Sequence, residues 1–512
     1  MRKLQRTAFL CAAVCMCTGA FAALPEPCAV YASEELVFEG MKYEESGGEI
    51  TVTGYTADLP EELVIPAEID GKLVTRIGAY AFSDSKLVSV TIPEHVTEIG
   101  NNGFTFSRSL RSVTLPEGIE KCGIYVFSQT PWLNARRSDA PFFVEKGVLI
   151  GYDDGSDVTE VVIPDVVRCI AGGAFRVFQC MEKVTIPDSV TYIGPNAFDS
   201  CTALESVVIP DSVTEIGDYA FSEDCQLKSI TLPKKMRVLG QSVFSDCRKL
   251  ESAMIPDGIS EIKRMMFKGC LNLARIQLPD SVKRIDEMAF FGCEVLREVK
   301  LPAQLAFLGE CAFSCCYELQ SVTFPETLAE IGEQIFYSCN ELTEVTVPAG
   351  TRSVGKETFC YCRGLKKVTF LNPGCVLYDA PTTVSNQREG GFDGVIAGYS
   401  GSEAELYAEK YGYPFESLGE APVPVCGDLT GDGTVTAEDA QLALQAYVRM
   451  LTGKQDGLSA YRRAAADVNS DAQLTAADPQ IILQYYVKHL AGKEITWEAL
   501  LRQAVRTEEP AS

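Results

Sequence analysis

Nine prolines stand 23 residues apart without a break: Pro164, Pro187, Pro210, Pro233, Pro256, Pro279, Pro302, Pro325 and Pro348. Pro66, Pro93 and Pro116 precede them at looser spacing, so twelve of the 25 prolines hold one structural position. A phenylalanine follows eleven residues behind each proline of the regular block, from Phe175 to Phe359. A fixed period of this size leaves little choice of architecture. One short unit cannot bury its own apolar face, whereas stacking on like neighbours covers it, so the chain is expected to wind into a solenoid.

The unit reads Leu-x-x-Val-x-Ile-Pro-x-x-Val-x-x-Ile-Gly-x-x-Ala-Phe-x-x-Cys, as where Val207-Val208-Ile209-Pro210 recurs as Ile230-Thr231-Leu232-Pro233. The Val-x-Ile alternation is a short strand with two inward side chains. Proline ends it, having no donor for the ladder. A second extended piece closes at Ile-Gly, and Ala-Phe opens a tight or helical return. About fourteen coils fit between Pro66 and Phe370. At a strand spacing of ~4.8 Å they make a rod or arc roughly 65 Å long.

This pattern resembles the BspA-type leucine-rich repeat of bacterial surface proteins over roughly residues 60–370. The resemblance implies a mainly β, α-β solenoid with short strands, occupying residues 60–391. It also implies an N-terminal cap at 33–59 and a closing cap at 392–419, which ends Tyr407-Ala408-Glu409-Lys410-Tyr411-Gly412-Tyr413. The 48 residues between Pro116 and Pro164 hold one degenerate coil, Trp132 to Tyr152.

Cys201, Cys247, Cys270, Cys293, Cys316, Cys339 and Cys362 each lie three residues after a repeat phenylalanine. A disulfide ladder and a metal site are the alternatives to a column of buried thiols. Metal sites need cysteine pairs converging from different loops, and these recur once per coil. Disulfide geometry tolerates the coil spacing, yet cysteine is also a small residue well suited to a closed apolar slot. Free thiols are the expected state, with disulfides open mainly to Cys311, Cys315 and Cys360.

Acidic residues outnumber basic ones by 70 to 45 in the 512-residue chain, a formal net charge of −25. Nucleic acid and anionic lipid repel such a surface, so no nucleic-acid partner is expected. His95 and His489 are the two histidines of the sequence, which excludes mechanisms built on several imidazoles. Arg2, Lys3 and Arg6 followed by an apolar run form an expected signal peptide within residues 1–32, with cleavage after Ala22 or Ala32. No later stretch has the ~18 unbroken apolar residues of a membrane helix. A secreted, extracellular protein with no membrane insertion is expected.

After a stiff Pro-containing linker at 420–426 the text changes. Asp428, Thr430, Asp432, Thr434, Thr436 and Asp439 fall at positions 1, 3, 5, 7, 9 and 12 of a loop with Gly433 at position 6. Alternate residues in that register aim oxygens at a hard cation, and position 7 gives its backbone carbonyl, so the loop is a candidate calcium site. Thirty-nine residues on, the register returns as Asp467, Asn469, Asp471, Gln473, Thr475 and Asp478, with Ala472 in place of the glycine. Two calcium ions are expected, the second in the less favourable loop. Helices should follow, from about Ala440 to Leu451 and on to about Leu490.

Aspartate at position 12, and no helix entering either loop, separate this tandem from an EF-hand pair. It is similar to a type I dockerin over residues 427–505, leaving a tail at 506–512. The resemblance implies a small all-α, calcium-folded module whose partner is a cohesin domain of a scaffoldin, the scaffold of a cell-surface cellulosome active in polysaccharide breakdown. The positions that contact cohesin in that family correspond to Ala437, Glu438, Gln445 and Arg449, and in the second copy to Ala476, Ala477, Gln484 and Lys488. The Gln/Gln and Arg/Lys matches permit two related orientations; Glu438 against Ala477 breaks the match.

A glycoside hydrolase needs two positioned carboxylates in a cleft. The acids of the repeat, such as Asp188, Asp211 and Asp257, fall on solvated turns, so no enzyme is expected. Outward strand positions hold Thr91, Thr114, Thr185, Val208, Thr231, Thr323, Thr346 and Thr369. That ladder suits an unknown protein or glycan ligand, or is simply a run of good β-formers; a purely structural spacer is the further alternative.

Overall fold

A computed structural model describes residues 36–136, 141–153, 158–387 and 390–501; the expected signal segment and tail lie outside them. The repeat winds into a solenoid of about 16 turns. Each regular coil gives two short strands, as Ser206–Val208 and Glu215–Ile216 do. They pair in parallel with their equivalents one period away, Val184↔Val207 and Val207↔Ile230. Val207 points inward and its neighbours Ser206 and Val208 point out, as a period of two requires.

The return after Ile-Gly is a run of tight turns, not a helix. Two residues per coil, such as Tyr219 at φ 59° and Glu223 at φ 61°, take the left-handed conformation. The return is itself stitched from coil to coil: Phe198 N donates to Ala220 O at 2.8 Å and Phe221 N to Val243 O at 3.0 Å. A helix satisfies its amides internally; here alternate amides are satisfied by the next coil and others by tight turns within the coil, as where Ser222 N donates to Tyr219 O at 3.1 Å, which is why the turns persist without helical propensity.

Stacking then orders the core by residue type. Phe175 to Phe359 form one column with ring centroids 5.0 to 6.0 Å apart and planes within 19°. Beside it, each cysteine thiol donates to the phenylalanine carbonyl of the preceding coil, Cys247 to Phe221 O and Cys270 to Phe244 O, both at 3.1 Å. Burial pushes these thiols well above their ordinary pKa, so they remain protonated donors. The cysteines of this column, and Cys311, Cys315 and Cys360, are free thiols.

The two ends and the degenerate coil depart from the period. Strands Leu36–Phe38, Met41–Ser46 and Glu49–Tyr55 form an antiparallel meander, and the third joins the parallel ladder at Lys72–Ile77. The degenerate coil contains helix α1 (Pro131–Arg136) and a hairpin, Phe142–Glu145 with Val148–Tyr152, whose second strand rejoins the ladder at Cys169. At the far end, helix α2 (Glu403–Tyr411) lies between the parallel strands Val395–Ser400 and Phe415–Glu420.

The C-terminal module has helices α3 (Ala437–Leu451), α4 (Ala460–Ala466) and α5 (Ala477–Leu490) around a core that includes Leu429, Ala443, Ala465 and Ile482. The expectation that no helix enters either loop is corrected here. Helix α4 runs straight into the second loop, with Ser459 accepting Arg462 N as its N-cap and Asp467, the loop's first position, as its C-cap. The module also packs on the solenoid end: Tyr461 N donates to Gly401 O at 3.0 Å.

Candidate functional site

Both loops are shaped by their own carboxylates. In the first, Asp428 Oδ1 accepts Gly431 N at 2.7 Å and Oδ2 accepts Gly433 N at 2.8 Å. Asp439 closes the loop, accepting Thr430 N through Oδ1 and Thr436 N through Oδ2, at 2.8 and 2.7 Å. Thr436 and Asp439 together form a capping box, so the loop's last ligand position is also the first turn of α3. Asp432 holds Thr434 N and Oγ1 on its Oδ1, each at 2.7 Å.

The second loop repeats this more loosely. Asp467 Oδ2 accepts Ala472 N at 2.8 Å, Asp471 Oδ1 accepts Gln473 N at 2.8 Å, and Asn469 Oδ1 accepts Asp471 N at 3.0 Å. Asp478 Oδ2 holds Thr475 N at 2.8 Å, but Asp478 Oδ1 is buried without a partner. Glycines 431 and 433 take positive φ in the first loop; Ser470 (59°) and Ala472 (62°) take it in the second. A non-glycine residue pays for that conformation, so the second loop is the strained copy.

These features fit a hard cation. An orphaned carboxylate oxygen in a closed site needs a counter-charge. Burial pushes the Asp428 and Asp478 carboxyls above the ordinary value, against the lowering pull of the loop N–H groups. Among the described residues no three His, Cys, Asp or Glu side chains gather as a cage by themselves. The loops draw also on threonine, asparagine and carbonyl oxygens, the mixed oxygen set that calcium accepts.

The eight predicted partner-contact residues fall along α3 and α5 and the residues that open them. Glu438, Gln445, Arg449, Ala476 and Gln484 are exposed, and Ala437, Ala477 and Lys488 are half-buried. Sequence reasoning missed the apolar residues between them. Leu444, Val448 and Leu451 on α3 are exposed, and so are Leu483, Val487 and Leu490 on α5, each pair 39 residues apart. Leu451 and Leu490 reach 67% and 73% exposure. Spacings of i, i+4, i+7 put each trio on one helix face, and exposed apolar patches of this kind mark interaction surfaces. The signal was legible as Leu/Leu, Val/Val, Leu/Leu at the repeat offset.

On the solenoid, the threonine ladder is outward as expected but not uniform. Val162, Met254, Gln277 and Lys300 stand in the same column as Thr185 and Thr231. His489 stacks on Tyr485 at 5.7 Å on α5, and His95 lies in an early coil, so the two are not brought together.

The sequence matches the family model of the BspA type leucine rich repeat region in six copies over residues 66–137, 152–274 and 260–375, more than half of the chain. It matches the dockerin type I domain over residues 426–485. No curated protein matches it. Among solved structures it is similar to a leucine-rich repeat protein from Bacteroides ovatus, at 24% identity, covering 75% of this chain and 99% of that one, TM-score 0.45. A leucine rich cell surface protein from Faecalibacterium prausnitzii gives 24% identity, 73% and 97% coverage and TM-score 0.31. The pneumococcal vaccine antigen PcpA gives 17%, 75%, 97% and 0.34.

Proposed function

The chain belongs to the BspA-type leucine-rich-repeat family and carries a C-terminal type I dockerin domain, and from that premise we propose that it is a secreted, non-catalytic binding protein anchored to a cellulosome scaffold. Type I dockerins bind calcium and imply a cohesin partner. Among the described residues no helix is long and apolar enough to cross a membrane. Cohesin is bound by α3 and α5, and the solenoid recognises a protein or a glycan on its strand face. Calcium, when bound, supplies the positive charge that holds the loop carboxylates together. This chain's own residues do the rest: Asp439 and Asp478 fix the first turns of α3 and α5, and Leu444, Val448, Leu483 and Val487 present the apolar contact.

One observation carries the reading. Two copies of one calcium-loop pattern each lead into a helix that bears the same exposed apolar trio. A surface kept apolar twice at one offset, beside the predicted polar contacts, is a surface for a partner. Leu444→Asp combined with Leu483→Asp tests it on the full chain. Each alone should weaken cohesin binding by about 10-fold, one copy substituting for the other, and together they should weaken it by more than about 100-fold. Calcium binding should survive. Undiminished cohesin binding in the double variant would overturn the reading.

A further inference from the structure

Arg352 belongs to the solenoid, yet its guanidinium Nη1 lies 3.0 Å from Asp432 Oδ2, eighty residues away at position 5 of the first calcium loop. It is one part of a larger contact. Glu403, at the start of α2, pairs with Arg462 on α4 at 3.4 Å, and their side chains are only 10% and 8% exposed. Ser459 N donates to the same Glu403 oxygen at 3.3 Å, and Tyr461 N donates to Gly401 O. Glutamate and arginine are seldom sealed from water unless paired, so this joint is built to exclude it.

Close approach is also written into the backbone of the solenoid end. A Cβ on Gly374 would sit 3.4 Å from the Tyr461 ring and 3.7 Å from Gly431, and a Cβ on Gly401 would sit 3.2 Å from Ala460 Cβ. Asn372, held by Thr351 O and Gly374 N at 2.9 Å each, lies against Gly431 of the first loop.

We propose that this end of the solenoid is a seat for the dockerin, and that Arg352 is an outer-shell positioning residue for the first calcium loop. The inference rests on the calcium-dockerin reading. Asp432 has Oδ1 held by Thr434 and Oδ2 by Arg352, which fixes the plane of its carboxylate. Outer-shell partners of ligating carboxylates typically carry about 10- to 100-fold in metal affinity. The guanidinium also repels a cation, but its side chain is 32% exposed and solvent screens that repulsion, so orientation outweighs it. The second loop differs. Asp471, at the matching position, is held by Asn469 Nδ2 and Gln473 N of its own loop. Linkage is reciprocal: calcium in the first loop tightens the seat, and the seat tightens calcium there.

Calcium titration of the full chain by calorimetry tests this. With the second loop disabled by Asp467→Ala, adding Arg352→Ala should weaken calcium binding by about 10-fold, and Arg352→Lys should recover part of it. With the first loop disabled by Asp428→Ala, Arg352→Ala should change nothing. In the otherwise unchanged protein, both Arg352→Ala and chelation should speed protease cleavage of the segment 421–425 that joins the modules. First-loop affinity that is equal or tighter without Arg352, with cleavage unchanged, would overturn the proposal. Absence of calcium binding by either loop of the unsubstituted protein would instead overturn the calcium reading beneath it.

Discussion

Asp224 occupies the slot that cysteine fills in the neighbouring coils, 23 residues after Cys201 and 23 before Cys247. It is fully buried; Oδ1 accepts Cys201 N at 2.9 Å, and Oδ2 has no partner. Burial pushes its carboxyl well above the ordinary range, with Asp199 adding to the effect. A raised folded pKa means that the folded chain holds the proton longer than the unfolded one. Its stabilising contribution is therefore complete below about pH 4, the unfolded value, and is lost as pH rises toward the folded value. Asp224→Cys should restore a thiol donor, raise stability at pH 7 by about 1–3 kcal/mol and flatten the pH dependence in urea titrations. A variant less stable than the parent at pH 7 would contradict this account. The cysteine column was plain in the sequence. This aspartate in its register was not, because its meaning comes from burial that spacing alone does not give. In the second loop, Ala472 was legible as a strained replacement for glycine, but Ser470 was not, although Gly431 stands at the same position of the first loop. Ser470→Gly with Ala472→Gly should relieve about 1 kcal/mol of strain each and raise calcium affinity of that loop about 5-fold or more in a titration. No change would mean the loop's backbone is not what limits it.

Elements in this protein are short because each is completed by its neighbours. The strands and the column of buried thiols follow from the 23-residue register and were legible there; the ring stack and the thiol-to-carbonyl bonds were not, because a period in sequence does not say which atoms meet. Closeness between coils has its own requirement at Ile-Gly. A Cβ on Gly217 would sit 2.5 Å from Pro195 N, and backbone cannot give way as a flexible side chain can. Gly217→Ala should cost about 1–3 kcal/mol, read as a lower urea midpoint, whereas Lys263→Gly at the same repeat position should cost well under that. Equal effects would show that coil spacing is not set there. Helix α4 was not foreseen, yet Ser459 followed by Ala-Tyr-Arg-Arg-Ala-Ala-Ala carries an N-cap and strong helix formers. The return was legible only as tight or helical: what decides for the tight turns is that alternate amides are satisfied by the next coil, which no single repeat reveals.

At the scale of the whole molecule, two unlike stabilities are joined. The solenoid core is two long apolar stacks that meet at the degenerate coil, with each coil supported by the next. The dockerin core is small, and on the proposed calcium reading the metal would supply much of its folding energy. Chelation should therefore remove the helical signal of α3 to α5 in circular dichroism while leaving the solenoid's melting transition in place. A single transition insensitive to calcium would contradict that division. The seat was invisible in the sequence, where Glu403, Arg462 and Arg352 look like ordinary surface charges; only the approach of the two modules gives them partners. The central claim, anchoring through calcium-organised helices, has a direct measure in calorimetric titration of the full chain against a panel of cohesin domains, with and without chelator. The account predicts tight binding to at least one cohesin in calcium. It predicts partial binding with Asp428→Ala or Asp467→Ala, and none with both or under chelation. Tight binding that persists in the double variant under chelation would contradict it.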